Sequence, residues 1–147
     1  MITGAREFRA KLERIAGAMP AAITAEVNRQ DALLEAYIKR EKLSGQVLNR
    51  RTGRLSRSIH SEPARREGST ILGRVGTNLI YAPVHEFGAT IRAKRAKYLR
   101  FKVGGQWVMK EQVTIPARPY MRPSLAERAP AIREGLQRAI GKVIRES

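Results

Sequence analysis

Cysteine is absent from all 147 residues, which removes disulfides, thiolate nucleophiles and cysteine-based metal sites together. Histidine occurs only at His60 and His85. A zinc hydrolase needs two histidines four apart with a nearby carboxylate. His85 and Glu86 are instead an adjacent pair, and they read as a histidine beside an ion-pairing glutamate. A serine nucleophile wants a strained G-x-S-x-G turn, which is missing; Ser56 and Ser58 lie among arginines, where turn or strand-edge roles fit better. No G-x-x-x-x-G-K phosphate loop appears. Acids are scarce in the middle of the chain, where Glu62, Glu67 and Glu86 are the only ones between residues 51 and 105, so paired-carboxylate catalysis lacks material. No apolar run approaches the roughly 20 residues of a membrane span, and the N-terminus has scattered charges in place of a secretory h-region. Internal repeats and low-complexity tracts are absent too. These absences predict a non-enzymatic protein with no cofactor, no catalytic or metal site and no membrane partner.

What is plentiful is positive charge. Lysine and arginine number 29 against 13 acidic residues, a net +16. The net is +3 over residues 1–50, +9 over 51–105 and +4 over 106–147, so the excess sits in the middle. Such a field favours acidic partners, either nucleic acid or an acidic protein surface. The hydrophobic share is 42%, ordinary for a globular chain, and the length suits one domain.

Residues 4 to about 43 read as helix. Phe8, Leu12, Ile15 and Met19 recur at helical spacing, and Ile23, Val27, Leu34 and Ile38 extend the stripe. Thr3 is positioned to cap the start; Ser44 and Gly45 mark the end. Gly17 and Pro20 predict two helices or a kink. The stripe Phe8–Leu12–Ile15 is expected to pack on a sheet. Ser58–Ala64 and Thr70–Thr77 read as a hairpin. Ala82–Phe87 suits a short helix with Pro83 in its first turn and Gly88 just past its end. A second hairpin turns at Gly104–Gly105, and Val113 and Ile115 add a strand edge. From Pro123 to about Ile144 the helical stripe returns, with a kink expected at Pro130. The fold class is α+β: a helical region over 1–44, a small mainly antiparallel sheet within 45–122, and a C-terminal helix over 123–147 packed on that sheet, all in one domain.

Two basic clusters stand out. Arg50, Arg51, Arg54 and Arg57 share a glycine-punctuated loop. Arg92, Lys94, Arg95, Lys97 and Arg100 lie near Tyr98, Phe101 and Trp107, the mixture single-strand binders use. The alternative is that these aromatics fill the core of the sheet; Leu99, Phe101 and Val103 share one strand face, which favours core for Phe101. Between the sheet and the last helix lies IPARPYMRPSL, residues 115–125. Pro116, Pro119 and Pro123 make it a stiff, extended lead-in, and it presents Arg118, Tyr120, Met121 and Arg122.

Three segments occur in order: TGRLSRSI at 52–59, VGTNLIYAPVHEFG at 75–88 and IPARPYMRPSL at 115–125. Together they resemble the tail-completion and head–tail joining proteins of tailed bacteriophages, the virion-morphogenesis type of Mu-like phages. The resemblance covers residues 50–145; the first 45 residues share only their helical character, and the basic insert 91–97 is a departure. The resemblance implies a structural virion protein, assembled in the host cytoplasm, that sits as a homo-oligomeric, hexameric ring between head connector and tail tube or tail terminator proteins, with DNA passing non-specifically through the channel. A basic nucleic-acid-binding module is the alternative function. Ring contacts are heterologous, and the expected contact residues are Arg50, Arg51, Arg54, Glu86, Ile115, Arg118, Tyr120, Met121 and Arg122, with Arg92, Lys94, Arg95 and Lys97 as an exposed basic surface.

Overall fold

The computed structural model describes residues 4–147; Thr3, expected to cap the first helix, lies outside them. Helix α1 runs unbroken from Gly4 to Tyr37. Pro20 sits inside it without ending it, and the carbonyl it shares with the helix accepts the Thr24 hydroxyl at 2.7 Å. Of the two outcomes expected at Gly17–Pro20, two helices or a single kinked one, the chain forms a single helix: packing along its length overrides a local propensity penalty of about 3 kcal/mol. A single π turn, Ile38–Lys42, follows, with the Leu43 N–H donating to Ile38 O at 3.1 Å. The helix then stops where Ser44 and Gly45 predict. Ser44 Oγ donates to Lys39 O at 2.9 Å and Gln46 Nε2 to Arg40 O at 3.1 Å, supplying partners for orphaned end carbonyls.

After a short helix α2 (Arg54–Ser58) come strands β1 (His60–Glu67) and β2 (Thr70–Gly76), helix α3 (Ala82–Phe87), strands β3 (Ala89–Arg92), β4 (Leu99–Val103), β5 (Gln106–Lys110) and β6 (Gln112–Ile115), and helix α4 (Met121–Glu146). The expected α+β class and both hairpins are present, but the strands form three separate antiparallel pairs, β1–β2, β3–β6 and β4–β5. Pairs β3–β6 and β4–β5 are nested end to end, joined by Ala93 N–H donating to Glu111 O at 3.1 Å. They make one two-stranded ribbon with residues 94–98 looped out of one side. Gly104 (φ 57°) and Gly105 (φ 83°) turn its tip, the pair of left-handed residues a tight hairpin requires.

Helix α4, also unbroken across Pro130, lies chiefly against α1 rather than on a sheet. The two helices are antiparallel. Lys42 Nζ donates to Glu127 Oε1 at 2.7 Å near one end, and Arg14 Nη2 donates to Ser147 O at 2.8 Å near the other. They touch at Gly135, where a Cβ would stand 2.3 Å from Gln30 Nε2 and Glu26 Oε1. Hairpin β1–β2 lies on another face of α1, and polar side chains at positions 28, 31 and 35 receive it. Asn28 Oδ1 accepts the Ala64 N–H at 2.7 Å, and Glu35 Oε2 accepts the Ser61 N–H at 2.8 Å. Asp31 presses against Gly73, where a Cβ would stand 2.2 Å from Oδ2. The strand register slips between Glu62 and Arg65, at Pro63, the residue that cannot donate to a ladder.

The buried core is small: Leu34, Ile38, Leu43, Leu48, Ile59 and Tyr120, with Val47, Leu55, Val75 and Met121 packed around it. Phe8 and Leu12, expected on a sheet, are 65% and 48% exposed. Helix α4 ends beside Arg14, so among the described residues the first turns of α1 extend past it uncovered. Replacing Ile38, fully buried, with alanine is expected to cost about 2–4 kcal/mol. Replacing exposed Phe8 should cost less than about 0.5 kcal/mol. Urea denaturation of the two variants checks the contrast.

Candidate functional site

The three ordered segments of the sequence meet in space. The second and third are fastened through main-chain atoms. Arg118 N–H donates to His85 O at 2.7 Å. Gly88 closes α3 at φ 73°, ψ 168°, a region essentially reserved for glycine. A Cβ there would stand 2.9 Å from both Ala117 N and Ile115 O, so the arm can lie against α3 only because residue 88 has no side chain.

Glu86 completes the clasp. Its Oε2 accepts the N–H of Tyr120 at 2.8 Å and of Met121 at 2.9 Å, and its Oε1 accepts that of Arg122 at 3.0 Å. These are orphan donors at the start of α4. Tyr120 offers no side-chain cap of its own, so a carboxylate from α3 caps α4 across 34 residues of chain, and its charge suits the positive end of the helix dipole. Glu86 is 7% exposed. Burial pushes its carboxyl up, but the three N–H groups together with the Arg122 charge outweigh that and hold it below the ordinary glutamate value. Ser124 Oγ turns back to Tyr120 O and is fully buried.

The first segment borders this clasp. Loop 48–56, including Arg50, Arg51 and Arg54, faces Tyr81 and His85 across a cleft of about 350 Å³. Gly53, at φ 71°, starts α2, and Arg57 Nη2 donates to Thr52 O at 3.2 Å. Ser58 Oγ lies 2.6 Å from Thr77 Oγ1, which joins the end of α2 to the strand leading into α3.

The expected contact residues therefore divide. Arg118 is exposed. Arg122 lays its guanidinium over the half-open Phe87 ring at 4.8 Å. The arm is held by its backbone, so both cationic heads are available. Glu86 is wholly engaged within the chain, and Ile115 and Met121 are half-buried. Tyr120 is corrected most: it is 1% exposed, a core residue that no neighbour can touch, and burial, with Glu86 and Tyr81 adding, pushes its hydroxyl up to about 12. The charge spacing that marks the arm carries no sign of which way each side chain turns.

Arg92, Lys94, Arg95 and Lys97 are exposed on the ribbon as expected. Its aromatics are not a sheet core. Phe101 is half-buried, but Trp107 is 57% exposed. Trp107 shares its face with Arg100, Lys102 and Met109, and the Arg100 and Lys102 cations lie 4.4 and 4.9 Å from its ring centre. The period-two pattern separated the two faces correctly; that no second layer covers either was invisible to it.

A two-helix frame thus clamps a cationic arm and carries a protruding basic ribbon. The chain belongs to the phage virion morphogenesis family, whose model matches residues 9–147. The match includes most of α1, beyond the region the three segments cover. Neither the curated proteins nor the solved structures compared with the chain give a match.

Glu86→Ala is expected to destabilise the chain by about 2–3 kcal/mol, because three helix-start donors, that of Tyr120 buried, lose a charged acceptor. Since the folded pKa lies below the unfolded value of 4.5, the Glu86 contribution is complete above about pH 4.5 and is lost as pH falls below it. Denaturation of wild type and Glu86→Gln between pH 3 and 7 should show the two curves converging at the acid end. Gly88→Ala should cost about 2 kcal/mol through backbone strain alone.

Proposed function

We propose that this protein completes the phage tail and joins it to the head connector, acting as a ring of identical subunits and without enzymatic activity. Membership of the virion morphogenesis family supports a role in building the particle. One further observation supports assembly with other subunits. A compact monomer of 16.5 kDa exposes about 7,500 Å², whereas this chain exposes 11004 Å². The surplus of about 3,500 Å² matches what large permanent interfaces bury. It lies in the α1 overhang, the ribbon and isolated apolar residues such as Ile80, Phe87 and Leu125, all exposed. In this reading the arm supplies Arg118 and Arg122 to a neighbouring subunit or to a tail protein, and the loop at Arg50, Arg51 and Arg54 supplies the opposing cationic patch. The partner surfaces are acidic proteins of the neck, matched to the net charge of +16.

A nucleic-acid module is the second reading, and the ribbon favours it through its seven basic residues against one acid over residues 89–115. The Trp107 ring, however, already carries two cations on it, which leaves it poorly disposed to stack a base. Purified protein should bind duplex DNA only weakly and with affinity that falls steeply with salt; tight binding persisting at high salt favours the second reading.

The Arg118→Ala/Arg122→Ala double variant is expected to fold normally, by circular dichroism and melting temperature. Phage carrying it should accumulate separate heads and tails. A normal yield of joined particles would refute the reading.

A further inference from the structure

We propose that the cleft between loop 48–56 and α3 receives an acidic segment of a different protein, and not a second copy of this chain. The inference rests on the reading of this loop as a patch for acidic neighbours and says which kind of neighbour it takes.

The cleft, of about 350 Å³, carries one sign of charge. Arg50, Arg51 and Arg54 line the loop side, Tyr81 and His85 line the side of α3, and no acidic residue lines either. Loop 48–56 itself contains no aspartate or glutamate. The lining leucines are buried or half-buried, so the open walls offer guanidinium, imidazole and a phenol ring. The three arginines are exposed, and among the described residues none of them pairs with a carboxylate.

The cations are also gathered. A Cβ on Gly53 would stand 2.8 Å from Arg50 Nε and 3.3 Å from Arg57 Nη1. Two guanidiniums thus approach one point of the backbone. Like charges brought together repel, and no acid of the lining offsets them. Guanidinium forks hold carboxylates through paired, charge-assisted hydrogen bonds. A carboxylate entering here relieves the repulsion and gains directed bonds in the same step.

A second copy cannot supply such a surface. Every exposed glutamate of the described chain, from Glu7 to Glu146, has an arginine or lysine directly beside it in sequence. No two acids are adjacent anywhere in the sequence. Each carboxylate that another copy could offer therefore brings a cation with it, and like-charged patches set face to face disfavour contact. The partner is a protein with carboxylates free of such neighbours. Duplex DNA is the other polyanion, but its phosphates lie on the outside of a rod, a shape that suits the protruding ribbon and not a small hollow.

The chain has only two histidines, and His85 lines the cleft while His60 does not. Imidazole resonances in NMR therefore report where a ligand sits, and His60→Gln protein assigns them. Short oligoglutamate, the probe, should shift the His85 resonances and leave those of His60 in place. Arg51→Gln/Arg54→Gln changes two exposed side chains, should keep the wild-type circular dichroism, and should bind oligoglutamate about 10-fold more weakly. Arg133→Gln/Arg138→Gln, on an exposed face of α4, removes the same charge and should bind within about 2-fold of wild type, because distant charges are screened. Equal weakening in both variants would overturn the site. So would a His85 shift from oligothymidylate of equal charge as large as that from oligoglutamate. Loss of self-association in Arg51→Gln/Arg54→Gln would overturn it as well, since the loop would then be a contact between copies, and would leave the ring reading standing. Wild-type protein that stays monomeric while oligoglutamate shifts His85 would overturn the ring and keep the site.

Discussion

The Glu86 carboxylate is the interaction on which the remaining architecture depends. Helix α4 starts on Tyr120, which cannot cap it, and follows an arm stiffened by Pro116 and Pro119. Neither the arm nor the helix contains a local group able to satisfy the first three N–H donors. Glu86 supplies all three bonds from α3, and α3 is itself set by Pro83 at its start and Gly88 at its end. Fixing the start of α4 fixes Tyr120 in the core and Ser124 behind it. The far end of α4 is held at Ser147 by Arg14. With both ends pinned, Gly135 can sit where α1 and α4 touch. Removal of the carboxylate would therefore loosen a helix of 26 residues that contributes much of the contact made by α1.

This dependence explains why the ordered segments in the sequence are spaced as they are. His85, Glu86 and Gly88 each hold a different atom of residues 115–122 through carbonyl, carboxylate and missing Cβ. The loop at 52–59 borders the same place. Their order and spacing follow from one clasp closed by three stretches of chain, with the β3–β6 ribbon as the long excursion between the last two.

Much of the fold is legible in the sequence because local rules decide it. Both hairpin turns, the Pro83–Gly88 helix and the Ser44–Gly45 stop follow from glycine and proline geometry. What local rules miss is arbitration at a distance. Pro20 and Pro130 predict an interruption or a kink, yet neither ends its helix, because each helix is packed on the other. Asn28, Asp31 and Glu35 lie outside the apolar stripe of α1, and nothing in their spacing shows that they receive the β1–β2 hairpin. Phe8 and Trp107 look like core because apolar periodicity reports a face and says nothing of whether a second layer exists to cover it. Tyr120 errs the other way: beside arginines it reads as surface, and the turn into α4 carries it inside. At the candidate site, the participants are legible and their roles are not. Glu86, Arg118 and Arg122 were expected among the contact residues, and Glu86 instead binds the backbone of the arm.

That division of labour has a physical consequence. Had Glu86 paired with a guanidinium, the arm would have spent its charge internally, and a buried ion pair contributes little net stability. Binding N–H groups instead uses dipoles that would otherwise be unsatisfied and leaves the cations outward. The same economy recurs on the ribbon, where hairpin pairing satisfies the backbone and Arg100 and Lys102 lie over Trp107 while still facing solvent. The chain is thus held together largely by backbone polar groups and a small apolar core; Lys42 and Arg14 pin the ends of α4, while the cations of the arm and the ribbon remain in solution. A net charge of +16 on such a frame is costly for an isolated molecule, because like charges repel. In the proposed assembly the repulsion falls as acidic surfaces dock, and the exposed apolar residues are covered in the same step. Charge and bare apolar area, each a burden on the free chain, therefore act in the same direction and favour the assembled state.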